Sequence, residues 1–317
     1  MKRSSTKQIE VVSYNPDWPR MFELEAAKIR EVLGAGCLDI RHVGSTSVQG
    51  LIAKPAIDIL CVVDDLTTSF QLQEISYVFR GEINIPLCYY FSNNASASRV
   101  NLHVVEADHG FIHLNLCFRD YLIAHEEARL AYAQLKESLL KEPKSYELVT
   151  KDFTGYNLGK NRFIKNILDK ASFEDSIVNF CAHYDEWEAY HRICEEQLFT
   201  PAGVVYDRNH KSFIDNHCFL VLYKGTQIVS IGHVEFLNNK TAMLRSLATD
   251  KQHQYRGFGK SMLQFLEKWI KRQGRNVIKV HAILQAETFF RRFGYTEMIF
   301  NEPSSFRDGV NLGKVIY

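Results

Sequence analysis

The stretch QYRGFGKSML, Gln254 to Leu263, sets two glycines two residues apart at the start of a segment with the apolar spacing of an amphipathic helix. That segment, SMLQFLEKWIKRQG, closes at Gly274. Before it, KTAMLRSLATD reads as a strand. Glycine is a poor helix former, so its place here needs a reason. Strand, glycine turn and helix together receive anions. The first N–H groups of a helix have no internal partner, and the helix dipole adds partial positive charge there. Glycine lets the backbone approach phosphate oxygens without a Cβ in the way. Between Arg245 and Arg292, eleven Lys and Arg stand against three Asp and Glu, in a chain of net charge +1. Positive charge thus gathers around the turn. Taken alone, the same glycines also suit a tight strand-to-helix turn beside a solvated basic face.

At 317 residues the chain exceeds one ordinary core and suits two domains. The near-zero net charge offers no global field for nucleic acid or a membrane surface, and neither partner is expected. No apolar run approaches the roughly 18 residues of a membrane span. The first residues hold no stretch of signal-peptide length, so a cytoplasmic protein is expected. Seven scattered cysteines form no C-x-x-C pair. Several sit in apolar runs, so reduced, buried thiols are expected rather than disulfides or zinc.

YNPDWPRMFELEAAKIREVLG reads as a turn and a helix, with Pro19 in the first turn and Met21, Leu24, Ile29, Val32 and Leu33 as its apolar stripe. PAIDILCVVDD is a run for a buried strand. VNLHVVEAD and FIHLNLCF look like two more strands joined by a turn at residues 108–110. RDYLIAHEEARLAYAQLKESLLKE reads as one long amphipathic helix, and NRFIKNILDKA as another. The pattern restarts near residues 171–175, which predicts domains at 1–171 and 172–317. In the second, HYDEWEAYHRICEEQL is a helix, and HCFLVLYKGTQIVSIGHVEFL two strands about a turn at Gly225. NVIKVHAI is a strand, AETFFRRFG a short helix and GKVIY a last strand. An α/β or α+β class follows.

The spacing Gln254-x-x-Gly257-x-Gly259 after LRSLATD, with AETFFRRFGYTE downstream, resembles the acetyl-coenzyme A segments of the GNAT acyltransferases. The resemblance covers roughly Phe173 to Tyr317. It implies a mixed sheet whose middle strands splay apart, with acetyl-CoA as co-substrate and its pantetheine in the opening. It places the pyrophosphate on amides of Tyr255, Arg256, Gly257, Phe258, Gly259 and Lys260. It further implies coenzyme contacts from Leu247, Ala248, Thr249, Gln254 and Phe290, with the Leu247 N–H as oxyanion donor. The implied chemistry is attack of a neutral amine on a thioester, which needs a proton acceptor and an oxyanion donor. His233 and Glu235, two apart on one strand, share a face and are the candidate bases. A hydrogen-bonded strand histidine and a solvent-facing carboxylate are the alternatives. Phe290 stands where the family often has a Tyr to protonate the leaving sulfur, and Tyr295 falls at a packing position.

RHVGSTSVQGLIAKPAIDIL, Arg41 to Leu60, is the second informative stretch. Gly44, Ser45, Thr46 and Ser47 can donate amides and hydroxyls to a phosphate chain, while Arg41, His42 and Lys54 add positive charge. The strand carboxylate Asp58 can hold Mg²⁺ against the same phosphates. With YNPDWPRMF, NLHVV, FRDYLIAHEEARLAYAQLK and YNLGKNRFIKNI, this stretch resembles the GrpB family (UPF0157) over nearly all of residues 10–170. That implies a nucleotidyltransferase fold and a nucleotide or phosphate site. The carboxylate pair that brackets metals in phosphoryl transfer is broken, because Leu60 stands two residues after Asp58. Asp64 and Asp65 lie too far along the strand to replace it. Glu106 is then the candidate second metal ligand. His103, His113 and Asn115 are candidate polar lining, and structural hydrogen bonding is the plainer role for both histidines.

Three readings stand. One is an acetyl-CoA-dependent N-acetyltransferase for a small-molecule or peptide amine, with an N-terminal phosphate-binding domain. Another is an Mg²⁺-dependent nucleotidyltransferase regulated by an acetyl-CoA domain. The third is a non-catalytic metabolite-binding protein, favoured by Phe290 and Leu60. Asp185, Glu186, Glu188, Glu195 and Glu196 make an acidic lip for a cationic acceptor, or simply a solvated helix face. The acceptor's identity and the oligomeric state stay open.

Overall fold

Helix α1 (Trp18–Leu33) starts where Pro19 fits its first turn, and it buries Trp18, Phe22, Ala26, Ile29 and Leu33. The buried face is rotated from the expected stripe: Leu24 is 57% exposed. Glu25 is drawn inside instead, because the Tyr77 hydroxyl donates to it at 2.9 Å. The computed structural model describes residues 9–95, 98–150, 152–208, 216–304 and 309–317.

Strands β1 (Cys37–Val43), β2 (Ala56–Val63), β3 (Val78–Gly81), β4 (Cys88–Asn93) and β5 (Arg99–Glu106) form a sheet in the order β1-β2-β5-β4-β3. β2 lies antiparallel to β1 and parallel to β5. Its near-continuous apolar run is explained by burial on both faces, with Ile57, Ile59, Leu60, Cys61 and Val63 almost fully covered.

FIHLNLCF is not a strand. It opens α2 (Phe111–Ala124). Its residues alternate, but Phe111, Ile112 and Leu116 also fall at helical spacing. They pack on Val43, Leu60, Val62, Cys88 and Val105, and that tertiary packing decides between the two periods. The expected long helix is likewise two. His125, at φ −120 and ψ 98, separates α2 from α3 (Glu126–Leu140). α4 (Gly155–Leu158) and α5 (Asn161–Lys170) follow, with Phe163 packed beside Val48, Leu51, Leu122 and Tyr132.

The second part contains β6 (Ser176–Phe180), α6 (Tyr184–Cys194) with a π turn over Glu195–Phe199, β7 (His217–Lys224), β8 (Gln227–Phe236) and β9 (Thr241–Thr249). Then come α7 (Phe258–Arg272), β10 (Val277–Ile283), α8 (Leu284–Arg292), β11 (Thr296–Glu297) and β12 (Gly309–Val315). Their sheet runs β11-β12-β10-β9-β8-β7-β6. Gly232 lets α7 lie close to the sheet, since a Cβ there would meet Met262 Cε at 2.8 Å. The compact units divide at Ile177 and Val178, a few residues past the expected 171/172. Each is mixed α and β. Among the described residues no helix is long and apolar enough to cross a membrane. The cysteines are free thiols, of which Cys61, Cys88 and Cys194 are buried and the rest partly exposed.

Candidate acetyl-transfer and anion sites

β9 pairs with β8 from Ser230↔Thr249 to Phe236↔Ala242. Its parallel pairing with β10 runs only from Thr241↔Val277 to Leu244↔Val280. Past that point the two strands no longer pair with each other, and the sheet parts between them. The register explains where. His233 opposes Ser246 while Val234 opposes Leu244, so Arg245 is the extra residue of a β-bulge at the point of parting. A bulge bends and further twists its strand. Leu247, Ala248 and Thr249 lie on the stretch that β10 leaves bare.

The turn after β9 is held by side chains. The Asp250 carboxylate accepts from the Gln252 N–H at 3.0 Å and meets Arg192 at 2.6 Å. Gln254 turns inward, donating to Gln197 Oε1 at 2.9 Å and to the Thr249 carbonyl at 3.2 Å. Tyr255 and Gly257 take left-handed backbones, φ 61 and 89. Gly257 is the N-cap of α7 and makes no side-chain cap. A Cβ on it would meet nothing within 4 Å, so its requirement is conformational and the space above it is open. Gly259 serves close packing, because its Cβ would stand 3.2 Å from Thr249 Oγ1. The amides of Phe258, Gly259 and Lys260 occupy the first turn, where no intrahelical acceptor exists. Arg256 and Lys260 are exposed beside them. Open space and uncapped donors fit a diphosphate.

On β8, His233 is 7% exposed and stacks on Phe219 at 4.1 Å. Its Nε2 is 2.8 Å from His217 Nδ1. The other ring nitrogen of His217 lies 3.7 Å from Glu235. Glu235 is not a free carboxylate: Arg245 Nε meets it at 2.6 Å. Arg245 in turn donates to the Pro303 carbonyl at 2.6 Å. His233 and Glu235 thus stand at the two ends of a row through His217, a residue the sequence reading passed over. Only the register, which sets His217 opposite Glu235, joins them.

Two expectations change. Phe290 is 4% exposed and packs edge-on to Tyr295 at 5.3 Å, so its ring belongs to the core and offers no face to a coenzyme. The acidic lip is largely neutralised. Glu186, 1% exposed, accepts from the Ala182 and His183 amides and the Tyr223 hydroxyl. Glu188 and Glu195 share Arg208, and Glu196 pairs with Arg192.

In the N-terminal unit, Gly44 (φ +70) is pressed on Asp58, whose Oδ2 would stand 2.4 Å from any Cβ. Asn101 donates to Asp58 Oδ1 at 2.8 Å. Ser45 receives Lys136 Nζ at 3.2 Å, and Lys136 also donates to the Ile52 carbonyl. The Lys136 amine lies 4.7 Å over the Tyr132 ring. Lys54 and Lys160 lie 4.6 and 4.8 Å over the ring of Tyr156. Burial pushes the Asp58 carboxyl up, against the pull of Asn101, Lys160, Lys54 and Arg99. Burial lowers Lys160 to about 8 although Asp58 opposes this. Burial and the charge of Lys160 lower Lys136 to about 7. Sequence reading misses Lys136, Lys160, Tyr132 and Tyr156 because they come from distant segments: α3, α4 and the turn between α4 and α5.

Several expected members stand elsewhere. Glu106 pairs in register with Val63, and Asp58 with Asn101. At about 3.3 Å per residue that is roughly 16 Å along the strand, so the two carboxylates cannot share a metal. Glu106 instead accepts from the Leu66 amide at 3.3 Å. Among the described residues no group of three His, Cys, Asp or Glu side chains is placed to hold a metal ion. His42 adds no charge: burial and Arg119 lower it to about 4, and it stacks on Phe22 and bonds Thr46 at 3.0 Å. Arg41 pairs with Asp39 at 2.7 Å. His103, lowered to about 4 by burial, sits between Tyr90 and Phe111. His113 and Asn115 leave the sheet with α2, where His113 meets Asp175 at 3.0 Å and Asn115 donates to the Phe111 carbonyl.

The parted sheet and the glycine-started helix lie within residues 191–313, which match the profile described as acetyltransferase (GNAT) domain. Residues 8–170 match the profile of GrpB protein. The chain belongs to the GrpB family and carries a GNAT domain after it. A UPF0157 protein of Halalkalibacterium halodurans is 41% identical over 138 residues, covering 41% of this chain and 69% of that one. The UPF0157 protein YqkA of Bacillus subtilis is 31% identical over 170 residues, 52% of this chain. The match spans 48% of YqkA's own length. The crystal structure of conserved protein GrpB from Enterococcus faecalis superimposes with a TM-score of 0.45 at 30% identity, over 51% of this chain and 96% of that one.

Proposed function

We propose that the C-terminal domain transfers an acetyl group from acetyl-CoA to an amine on a small molecule or peptide. The parting of β9 from β10 after Leu244 and Val280, beside the uncapped start of α7, carries this reading. The turn from Tyr255 to Lys260 would hold the pyrophosphate. The bound thioester supplies an electrophilic carbonyl. The chain's own groups do the rest. The Leu247 amide, on the bare stretch of β9, donates to the developing oxyanion. His233 accepts the amine proton, and its positive charge is shared with His217 and balanced by Glu235. Phe290 has no proton to give, so the thiolate takes its proton from water.

Nucleotidyl transfer is not part of this proposal, because Glu106, the candidate second metal ligand, stands five residues along the sheet from Asp58. Thiol release measured against polyamines, aminoglycosides and peptides tests the reading, together with acetyl-CoA titration calorimetry. Turnover with an amine supports it. Absence of acetyl-CoA binding at high-micromolar protein overturns it. Firm binding with no release from any amine favours a metabolite sensor, to which the core position of Phe290 already leans.

A further inference from the structure

We propose that Cys37 and Cys61 form a site of reversible oxidation in the N-terminal unit, where Cys37 reduces a small hydroperoxide and Cys61 closes the resulting sulfenic acid into a disulfide. Their sulfurs stand 3.8 Å apart. The register explains the approach. Cys37 opposes Val63, and Cys61, two residues before Val63 on β2, shares its face. Asp39 then opposes Val62, so Leu38 is an extra residue in β1. Such a bulge bends and twists its strand, and this one lies at the mouth of β1, directly after the tight turn Gly34–Gly36. The two thiols differ in access. Cys61 is 0% exposed, whereas Cys37 is partly exposed. The other contact of Cys37 is a weak one, to the Asp39 carbonyl at 4.0 Å. An outer thiol that solvent reaches, with a second thiol directly behind it, is the arrangement of an attacking and a resolving cysteine.

The surroundings make the outer sulfur the nucleophile. A thiolate attacks, not a thiol. The Cys61 S–H donates to the Cys37 sulfur and, with the charge of Arg30, lowers Cys37 to about 7 against burial and Asp39. Asp39 is itself paired with Arg41 at 2.7 Å. The same contact and burial hold the proton on Cys61. In the first step the Cys37 thiolate attacks a peroxide oxygen. An S–O bond forms, the O–O bond breaks, and the departing oxyanion takes a proton from water. The sulfur gives up two electrons to the peroxide. In the second step the Cys61 sulfur displaces the hydroxyl group from Cys37. An S–S bond forms, the S–O bond breaks, and the Cys61 proton leaves with the hydroxyl as water. The sulfurs must close from 3.8 Å to about 2.05 Å. β2 is held between β1 and β5, so the movement falls to Cys37 at the strand end.

The reduced full-length chain is treated with about one equivalent of hydrogen peroxide near neutral pH, its remaining thiols are alkylated, and its peptides are read by mass spectrometry. A Cys37–Cys61 cross-link that dithiothreitol reverses is expected as the main oxidised species. In Cys61→Ala the cross-link is expected to vanish and a sulfenic acid to persist on Cys37, where dimedone traps it. In Cys37→Ser the rate of peroxide consumption is expected to fall by about tenfold or more, with unchanged circular dichroism. Cys37→Ser keeps the test open if the buried Cys61→Ala misfolds. No coenzyme is present, so the result is independent of the reading of the C-terminal domain. Linkage of Cys37 to a different thiol overturns the proposal. So does a sulfenic acid that persists on Cys37 in the wild type, or peroxide consumption that Cys37→Ser leaves unchanged.

Discussion

Arg192 on α6 holds a carboxylate oxygen of Asp250 at 2.6 Å, across the end of β9. Asp250 is 6% exposed. Burial works against its charge, but the Gln252 amide and Arg192 together keep its carboxyl below the usual range. With the Gln197–Gln254 bond at 2.9 Å, this makes a second tie from the α6 segment to the turn that leads into α7. Asp250→Asn removes the pair while preserving shape. Because Arg192 is half exposed, the expected stability loss is only about 1 kcal/mol. Acetyl-CoA affinity is expected to fall several-fold, measured by calorimetry alongside thermal unfolding. Unchanged affinity would mean the turn holds its shape without this tie.

Gly257 and Gly259 are required for different reasons, and their variants should differ. Gly257→Ala forces an L residue to φ +89, at a cost of about 1 kcal/mol in a compatible fold. It leaves the helix packing intact, so the loss should appear mainly as weaker coenzyme binding. Gly259→Val pushes on Thr249 Oγ1, 3.2 Å from an ideal Cβ. It should lower both the melting temperature and the affinity.

The His217–His233 contact at 2.8 Å predicts an effect on the pH profile of kcat. His217→Phe keeps an aromatic ring but removes the nitrogen that faces His233. Activity is expected to fall by roughly 10²-fold at neutral pH, with the KM for acetyl-CoA little changed. The acid limb of the profile should also move. A uniform drop at every pH would assign His217 to packing alone.

The lysine cluster predicts how stability follows pH. Lys136 sits at about 7 and Lys160 at about 8 in the folded chain, against an unfolded value near 10.4. Between about pH 7 and 10 the unfolded chain therefore binds more protons, so their contribution makes stability rise with pH. Buried thiols and tyrosines pull the other way in the same range, as with Cys88 and Tyr77. The useful quantity is the melting temperature of the wild type minus that of Lys136→Met. In phosphate-free buffer it is expected to climb from about pH 7 to about pH 9.5. A flat difference would mean that Lys136 keeps an ordinary affinity for its proton.

Much of this architecture was readable from local pattern, and the gaps have physical causes. α7 announced itself through the glycine turn and its apolar spacing, and β2 through a near-continuous apolar run. FIHLNLCF satisfied two periods at once, and only its packing on Val43 and Leu60 settled it as helix. The bulge at Arg245 is a property of a pair of strands, so neither strand displays it alone. His217 becomes meaningful only once the register sets it against Glu235. Lys136 reaches Ser45 across 91 positions of sequence. No spacing rule spans that interval, whereas Gly44 and Asp58 lie close in sequence, at the end of β1 and on the neighbouring β2, where Val43 pairs with Asp58.

The gap between β9 and β10 lies within the sheet and not at its rim. β8 grips β9, and β12 pairs with β10 along its whole length from Val277 to Ile283. Neither wall can slide to shut the slot without breaking a ladder on its far side. A guest therefore finds the berth ready, and its entry chiefly requires shedding water rather than moving backbone. Admission should be quick and limited by encounter, leaving the length of stay to set how tightly any guest is held.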